Sequence, residues 1–208
     1  MLNVCDSCGA YRADKIIDPA GPYAICPVCE YAHPFLRLPL LIVGGASGAG
    51  KSAVCRQLLG TLLDVVLLDG DILWRDVFDT PEDNYRDFFE TWLRLAKNIS
   101  QSGRPVVLFN AGMAVPHNVE PCVERRYFST VYYLALVCDD EVLAERLRRR
   151  PAWRESSSPQ WIADQLRFNR WFKQRAAEVT PPVALLDTTE ATVEETAASV
   201  KAWISRKS

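Results

Sequence analysis

Eight consecutive residues form a glycine-rich pattern that is typical of phosphate binding. The pattern is G-x-x-x-x-G-K-[ST], and its members are Gly45, Ala46, Ser47, Gly48, Ala49, Gly50, Lys51 and Ser52. Glycines let backbone N–H groups converge on phosphates, the lysine reaches the β- and γ-phosphates, and the serine hydroxyl can ligate Mg²⁺. The pattern therefore predicts a nucleoside triphosphate site, with ATP and Mg²⁺ as the expected cofactors.

Two acidic residues, Asp69 and Asp71, follow an apolar run at 65–68 that predicts a buried strand. Carboxylates one residue apart can divide the work of phosphoryl transfer, one facing the metal and the other facing the acceptor. The competing interpretation is a tight turn with two solvated acids, because Asp-Gly favours turns.

Asn110 ends a third apolar run at 105–109, where many P-loop ATPases carry a metal-orienting aspartate. The asparagine disfavours a motor-type ATPase and shifts the metal role to Asp69. It leaves Asn110 and Gly112 to contact an acceptor. No Asn-Lys-x-Asp motif is present, so the sequence also disfavours a GTPase.

Three further side chains are candidates for acceptor binding. Trp74 and Arg75 closely follow the acidic pair, and Arg86 lies at the predicted start of a helix, where it could bind an anionic group. Most other aromatic residues of this segment have helical spacing, so we expect them in the core.

A short span after the fourth apolar run is rich in arginine, with Arg146, Arg148, Arg149, Arg150 and Arg154. A basic helix end that runs into a polar loop predicts a lid at 146–158, because guanidinium groups bind phosphate oxygens bidentately. Arg146, Arg150 and Arg154 are the candidates for catalytic contact. The alternative is a solvated helix face whose charge complements the helix dipole.

Four of the seven cysteines form two C-x-x-C pairs near the N-terminus, namely Cys5, Cys8, Cys26 and Cys29. This spacing is typical of a zinc ribbon, in which four thiolates close a tetrahedral, structural Zn²⁺ site. Redox-active pairs are the competing interpretation, but such pairs usually follow a strand and open a helix. We interpret His33 as a packing or surface histidine rather than a substitute ligand.

The composition is that of a globular protein of 208 residues, 49% hydrophobic and 24% charged, with a formal net charge of −2. That charge gives no reason to expect nonspecific binding of nucleic acid. The N-terminus lacks a signal-peptide pattern and no apolar run approaches a membrane span, so we expect a cytoplasmic protein without membrane contact. We predict a ribbon at 1–36 and a core at 37–208.

Apolar runs alternate with helical patterns throughout this core. We predict strands at 40–43, 65–68, 105–109, 131–137 and 183–186, and helices at 52–63, 85–102, 139–149, from 159 and from 192. The alternation predicts an α/β fold with a mostly parallel, five-stranded sheet in three layers. Ligands of such sheets bind beyond the carboxyl ends of the strands, where the candidate residues fall.

The glycine-rich loop, the Asp69-Gly70-Asp71 string and the basic segment resemble those of P-loop small-molecule kinases, over about residues 39–205. The similar families are the gluconate, shikimate and adenylyl-sulfate kinases and the nucleoside and nucleoside-monophosphate kinases. The resemblance implies a P-loop NTPase fold, with Asp69 orienting the metal's water shell and Asp71 holding the acceptor hydroxyl as a base. It also implies that 183–189 packs against the adenine.

Two functions remain open from the sequence. The first is a kinase for a small hydroxyl- or phosphate-bearing acceptor, with nucleosides and nucleotides favoured by the aromatic residues near the site. The second is a nucleotide-gated protein whose ribbon binds nucleic acid or a protein partner. A combination of the two, a kinase acting on a nucleic-acid end, is disfavoured by the net charge of −2 and the lack of a long basic stripe. The acidic pair and the arginines favour the kinase, so a small molecule is the expected partner. The sequence does not indicate an oligomeric state.

Overall fold

The computed structural model describes residues 2–151 and 157–208 as two β-sheets flanked by helices. The strands are β1 (Ile16–Ile17), β2 (Tyr23–Ile25), β3 (Ala32–Pro34), β4 (Leu40–Gly45), β5 (Val66–Asp69), β6 (Val106–Phe109), β7 (Val131–Val137) and β8 (Val183–Asp187). The helices are α1 (Lys51–Leu58), α2 (Arg86–Ser100), α3 (Pro116–Val119), α4 (Asp140–Arg148), α5 (Pro159–Arg175) and α6 (Val193–Ser205).

The large sheet has five parallel strands in the order β5-β6-β4-β7-β8. Its central strand β4 is buried on both faces, which explains why it is a continuous apolar run rather than an alternating one. Leu40 and Ile42 pack in one hydrophobic cluster with α2 and Phe172 of α5. Leu41 and Val43 pack in a second cluster with α1 and α6. The predicted three-layer α/β fold is therefore confirmed.

The elements between the strands differ from the prediction in detail. Helix α1 ends at Leu58 rather than at 63, because Leu59 has extended ψ and Gly60 has a left-handed φ of 73°. Helix α2 begins only after Asn84 and Tyr85, which both have positive φ. Three short 3₁₀ turns, Gly70–Leu73, Asp76–Phe78 and Pro81–Asp83, fill the segment that follows the acidic pair.

The small sheet is antiparallel, in the order β1-β2-β3, and it packs against the core that contains the large sheet. Leu2, Ala24 and Phe35 form a buried cluster with Tyr127, which also donates its hydroxyl hydrogen bond to the Ala13 carbonyl at 2.7 Å. The small sheet is thus attached to the core by both apolar and polar contacts.

A buried charged group lies at the junction of the two sheets. Glu124 is fully buried and accepts hydrogen bonds from Lys97 of α2, from Arg94 Nε at 2.9 Å and from Asn3 Nδ2 at 2.9 Å. Because Asn3 belongs to the N-terminal segment, this network joins that segment to α2.

Among the helices of the described residues, none combines the length and the apolar character that a membrane-spanning segment requires.

Candidate active site

The glycine-rich loop connects the end of β4 to the start of α1, at the carboxyl edge of the parallel sheet. Gly45 has a φ of 123°, and a Cβ at this position would lie 2.2 Å from the Leu136 carbonyl oxygen of the neighbouring strand β7. Gly50 caps α1 in a left-handed conformation with a φ of 105°. The loop therefore presents its backbone N–H groups at the N-terminus of a helix, where anions are favoured.

Lys51 lies folded back on the loop that carries it. Its Nζ donates hydrogen bonds to the carbonyl oxygens of Gly45 and Ala46, at 2.8 and 3.0 Å. Burial lowers the pKa of Lys51 to about 8, while the charges of Asp71 and Asp69 raise it and that of Arg150 lowers it. The structure therefore brings together four of the residues that the sequence predicted for one site.

The acidic pair follows β5 as expected, and the two carboxylates differ in their surroundings. Asp69 is half-buried, and its Oδ1 accepts the backbone N–H of Asp71 at 3.0 Å, so it caps the first 3₁₀ turn. Trp92 holds this turn through a hydrogen bond from Nε1 to the Gly70 carbonyl at 3.1 Å. Asp71 is exposed, and its charge acts on Lys51. Asp69 and Asp71 therefore take part in a turn, as the competing interpretation expected, and are also placed near Lys51.

Asn110 and Gly112 follow β6, the strand next to β5. Asn110 is buried, and its Oδ1 accepts the backbone N–H of Met113 at 3.0 Å. A Cβ at Gly70 would lie 2.6 Å from Asn110 Nδ2, so Asn110 packs directly beneath the acidic turn. The Gly112 carbonyl accepts a hydrogen bond from Asn118 Nδ2 at 2.9 Å. Asn110 and Gly112 therefore both form hydrogen bonds within the segment that follows β6, next to the acidic pair.

The three other acceptor candidates have different environments. Trp74 is 46% exposed, with one edge packed against Phe88 at a ring-centroid distance of 5.3 Å, so part of the indole is free to stack. Arg75 is exposed. Arg86 lies at the start of α2, where its Nη1 donates to the Cys122 Sγ at 3.4 Å. Its guanidinium is therefore engaged by the protein.

The structure describes the arginine segment only in part, because the predicted lid at 146–158 includes 152–156, which lie outside the described residues. Its first arginines form the predicted basic end of a helix: α4 continues through Arg148, and Arg149 pairs with Glu145 at 2.5 Å. Arg146 is bound to the body of the core, because its Nη2 donates to the Thr188 carbonyl at 2.7 Å. Arg154 lies outside the described residues.

Two cavities meet at the glycine-rich loop. One of about 310 Å³ is lined by Gly48, Gly50, Lys51, Ser52, Ala53, Arg56, Arg146, Arg150 and Pro151. The other, of about 230 Å³, is lined by Gly48, Ala49, Gly50, Val54, Arg146, Thr188, Ala191, Val193 and Thr196. The first is basic and the second is mainly apolar, and Arg146 lies between them. This pair of compartments suits a polyphosphate joined to a nucleobase.

Several residues of this site were not found from the sequence. The wall of the second cavity comes from Ala191, Val193 and Thr196, at the start of α6. The sequence predicted a helix from 192, where Thr192 and Glu195 form a capping box, but not that this helix faces the loop. Gln165 of α5 was also missed, although its Oε1 accepts the backbone N–H of Ser47 at 2.8 Å.

A larger cavity, of about 540 Å³, lies at the opposite, amino-terminal edge of the sheet. Its lining is mostly apolar and aromatic and includes Val131, Tyr132, Pro182 and Trp203. Its lining contains one basic residue, Lys207, and no acidic residue, so it does not offer the carboxylate and the cationic cradle that phosphoryl transfer needs, and we place the active site at the glycine-rich loop.

The four cysteines of the N-terminal segment meet as predicted. Their sulfur atoms all lie within 4.8 Å of one another, with Cys5 to Cys29 at 3.5 Å and Cys8 to Cys26 at 3.9 Å. Zinc–sulfur bonds of about 2.3 Å in a tetrahedron require sulfur separations of about 3.8 Å, so the quartet fits Zn²⁺. Burial works against the charged form of Cys5, but hydrogen bonds from the backbone of Cys8 and Ser7 prevail and lower its pKa to about 5.

His33 supports this cluster from inside the protein. The side chain is buried, its Nε2 lies 3.4 Å from Cys5 Sγ, and its Nδ1 lies 3.4 Å from Asp6 Oδ2. The interpretation of His33 as a packing residue is consistent with these contacts, since it binds a ligand sulfur rather than replacing one.

Comparison with known proteins agrees with this architecture. A family model described as an AAA domain matches residues 40–175. The chain is similar to a sugar kinase from Janibacter sp. HTCC2649, with 15% identity, a TM-score of 0.57, and 81% of this chain and 95% of that chain covered. It is also similar to a gluconokinase from Sinorhizobium meliloti 1021, with 19% identity, a TM-score of 0.54, and coverage of 82% and 93%.

A third similar structure is the APS kinase CysC of Mycobacterium tuberculosis in complex with AMPPNP and APS. It has 18% identity and a TM-score of 0.51, with 81% of this chain and 98% of that chain covered. No curated protein matches the sequence. At such low identity the likeness establishes the fold, which is the P-loop kinase fold that the sequence predicted.

Proposed function

The chain belongs to the AAA domain family, and from this premise we propose that it is a kinase that phosphorylates a small molecule. ATP and Mg²⁺ serve as its cofactors, and the γ-phosphoryl group passes to a hydroxyl- or phosphate-bearing acceptor. The sugar kinase, gluconokinase and APS kinase with similar folds support an acceptor of this size.

The observation that carries this proposal is the charge arrangement around Lys51. Its ammonium group sits in the glycine-rich loop, and it interacts electrostatically with Asp69, Asp71 and Arg150. Phosphoryl transfer requires a cationic cradle for the phosphates beside a carboxylate that can accept the proton of the acceptor. A protein that only binds a nucleotide has no need of the second group.

Each residue then has a separate task. Lys51 and Arg150 neutralise the transferred phosphoryl group, and Asp71, which is exposed, accepts the proton of the acceptor hydroxyl. Ser52 and Asp69 offer the hard oxygen ligands that Mg²⁺ prefers. When bound, Mg²⁺ supplies further neutralisation of the β- and γ-phosphates. The role of Asp69 is compatible with its turn cap, since only its Oδ1 is used there.

Arg146 takes a different task from the catalytic contact first expected of it. Its hydrogen bonds to Thr188 fix the guanidinium between the basic and the apolar cavity. A planar guanidinium in that position stacks on a nucleobase and also contacts the phosphate next to it. We therefore assign Arg146 to nucleotide binding and leave Arg154 as a prediction.

The acceptor we favour is a nucleoside or nucleotide. Trp74 is half-exposed above Phe88 and Tyr85, so it offers an aromatic surface to a planar ring. Arg75 is exposed beside it and can pair with an acceptor phosphate. Arg86 takes part only if it leaves Cys122.

The N-terminal segment holds a structural Zn²⁺ in this proposal. The sulfur separations fit tetrahedral coordination, and four protein ligands leave no open position for catalysis. The segment at 1–36 has two basic residues, Arg12 and Lys15, against four acidic ones, Asp6, Asp14, Asp18 and Glu30, for a net charge of 2 − 4 = −2. A nucleic-acid role for the ribbon is therefore disfavoured.

The test is ATP turnover by the purified, zinc-replete protein against nucleosides, nucleotides, sugar acids and aminoglycosides, with products identified by mass. We expect one acceptor class to gain a phosphoryl group, and the Lys51→Ala variant to form no product. If ATP binds but no acceptor is phosphorylated, the kinase proposal fails and a nucleotide-gated partner-binding role replaces it.

A further inference from the structure

One contact joins the glycine-rich loop to a helix that is 118 residues away in the chain. The backbone N–H of Ser47, the third residue of the loop, donates to Gln165 Oε1 at 2.8 Å. Gln165 belongs to α5 and is half-buried. None of the roles assigned above uses this side chain.

The peptide group involved also contacts Lys51. The N–H of Ser47 and the carbonyl of Ala46 belong to the same peptide unit, and that carbonyl accepts a hydrogen bond from Lys51 Nζ at 3.0 Å. In a planar trans peptide the N–H and C=O groups point in opposite directions. Gln165 and Lys51 therefore hold the two ends of one peptide.

The hydrogen bond to Gln165 therefore fixes the orientation of the Ala46–Ser47 peptide. If the peptide rotated, its N–H would face the ammonium group of Lys51, and its carbonyl would turn away from it. An acceptor on the N–H side prevents this, and hydrogen bonds in series also polarise and strengthen one another.

Gln165 is itself held in place by its helix. Four residues later in the same helix, Asn169 is fully buried. Its Nδ2 donates a hydrogen bond to the Cys138 carbonyl at 2.7 Å, and its Oδ1 accepts one from the Cys138 backbone N–H at 3.3 Å. Residues four apart share one face of a helix. The contact that fixes α5 to the end of β7 therefore also fixes the position of Gln165.

We propose that Gln165 is a positioning residue that orients the Ala46–Ser47 peptide and thereby sets Lys51 for a nucleoside triphosphate. The inference rests on the proposed function for its purpose, but the contact between Gln165, the peptide and Lys51 can be tested without any acceptor. It adds a residue of α5 to a site that the sequence places in the loop and at the strand ends.

The test compares Gln165→Met, which has similar length but no good acceptor, with Gln165→Glu, which keeps one. The first readout is the pH dependence of Lys51 acylation in the nucleotide-free protein. Loss of the acceptor releases the Ala46 carbonyl, so the pKa of Lys51 falls in the Met variant. The Glu variant keeps the contact and adds a negative charge, so the pKa of Lys51 rises.

The second readout is binding of the non-hydrolysable analogue AMP-PNP. We expect Gln165→Met to weaken binding by about tenfold, the effect of losing a hydrogen bond that supports a charged group. The control is Gln160→Met on the same helix, where the exposed amide donates to Asp164 Oδ1 at 3.1 Å. That variant should match the wild type in both readouts, and the melting temperatures of all variants should agree.

Three results separate the inference from the proposed function. If Gln165→Met matches the wild type in Lys51 acylation and AMP-PNP binding, the inference is wrong and the kinase proposal is unaffected. If the Met and Glu variants shift the pKa of Lys51 in the same direction, Gln165 acts only through packing, and the inference is also wrong. If the wild type binds no AMP-PNP, the proposed function fails, while the acylation experiment still decides the role of Gln165.

Discussion

Lys51 is held by backbone carbonyls that a nucleotide must replace. The two hydrogen bonds of its ammonium group go to Gly45 and Ala46, within its own loop. Burial lowers the pKa of the lysine to about 8, although Asp71 and Asp69 oppose the shift. The negative charge of a triphosphate raises the pKa again, so nucleotide binding is linked to protonation of Lys51.

This linkage predicts a pH dependence of nucleotide affinity. Below the free-state pKa of about 8, Lys51 is charged before binding and affinity is constant. Above it, binding must take up a proton, so AMP-PNP affinity should be about tenfold weaker near pH 9 than near pH 7. Calorimetry in buffers of different ionisation enthalpy measures both the affinity and the proton uptake.

A Lys51→Arg variant is the matched control, because arginine stays charged throughout this range. Its affinity should be lower than that of the wild type but independent of pH. A flat profile in the wild type would show that Lys51 is already fully charged near pH 9 in the free protein, contrary to the linkage.

Asp71 carries the second prediction at this scale. If it accepts the proton of the acceptor, Asp71→Asn should lower turnover by at least about a hundredfold, since general bases contribute that much or more. AMP-PNP binding should change little, because Asp71 is exposed and caps no turn. The control is Asp76→Asn in the next 3₁₀ turn, which should turn over normally. Normal turnover by Asp71→Asn contradicts the assignment.

At the scale of elements, the site is built at the junction of one central strand with three helices. Strand β4 and helix α1 carry the loop, α6 forms the wall of the apolar cavity, and α5 reaches the loop through Gln165. Asn169 is central to this arrangement, because it ties α5 to Cys138 and, through Nδ2 to Oδ1 at 3.2 Å, to Asp140 of α4.

The Asn169→Ala variant should therefore be destabilised. It leaves the buried N–H of Cys138 without its Asn169 partner and leaves the Cys138 carbonyl with the longer contact from Lys173 Nζ at 3.4 Å, so the free energy of unfolding should fall by about 2–3 kcal/mol. Urea denaturation measures this loss. On the same helix, Arg167 is exposed and pairs with Asp164, so Arg167→Ala should cost less than about 1 kcal/mol. Equal losses in the two variants would mean that Asn169 contributes no more than a surface residue.

The sequence predicted the elements whose signal is local. Strand β4 was found because a strand buried on both faces is an unbroken apolar run, and the loop was found because each of its positions has a chemical reason. The end of α1 was placed too late, because Leu59 and Leu62 continue the helical spacing past Leu58, although the chain turns at Gly60. The helical spacing of apolar residues does not show that a residue within the pattern has a positive φ.

The missed parts of the site depend on contacts between distant segments. Gln165 is an ordinary polar residue on an amphipathic helix, and only the packing of α5 brings it to Ser47. Arg146 was predicted in a lid because arginines cluster near it, yet its partner Thr188 lies on the loop after β8. No local pattern encodes such a pairing, so the sequence could propose the residue without its role.

At the scale of the whole molecule, the N-terminal segment is joined to the core by a buried network of charged and polar groups. Its residue Asn3 joins Arg94 and Lys97 of α2 around the buried Glu124. Charges buried in this way are costly unless all their partners remain in place. Helix α2 also carries Phe88, against which Trp74 packs.

Loss of the proposed Zn²⁺ should therefore destabilise the entire chain. Structural zinc contributes folding free energy directly, so a strong chelator or a Cys8→Ser substitution should lower the melting temperature of the whole protein. Metal analysis should find one zinc per chain in the wild type and less in the variant. The control is Ser7→Ala, an exposed neighbour whose side chain is not a ligand. If chelation leaves a single unfolding transition unchanged, the ribbon contributes nothing to the stability of the core.

The central claim is that this protein transfers a phosphoryl group from ATP to a small molecule. The most direct measurement follows a radiolabelled γ-phosphoryl group from ATP when the zinc-replete protein is mixed with a small-metabolite extract that has been freed of macromolecules. We predict that the label appears in an organic product, and that the Lys51→Ala variant forms none. Label that remains in ATP, or passes only to inorganic phosphate, would contradict the claim.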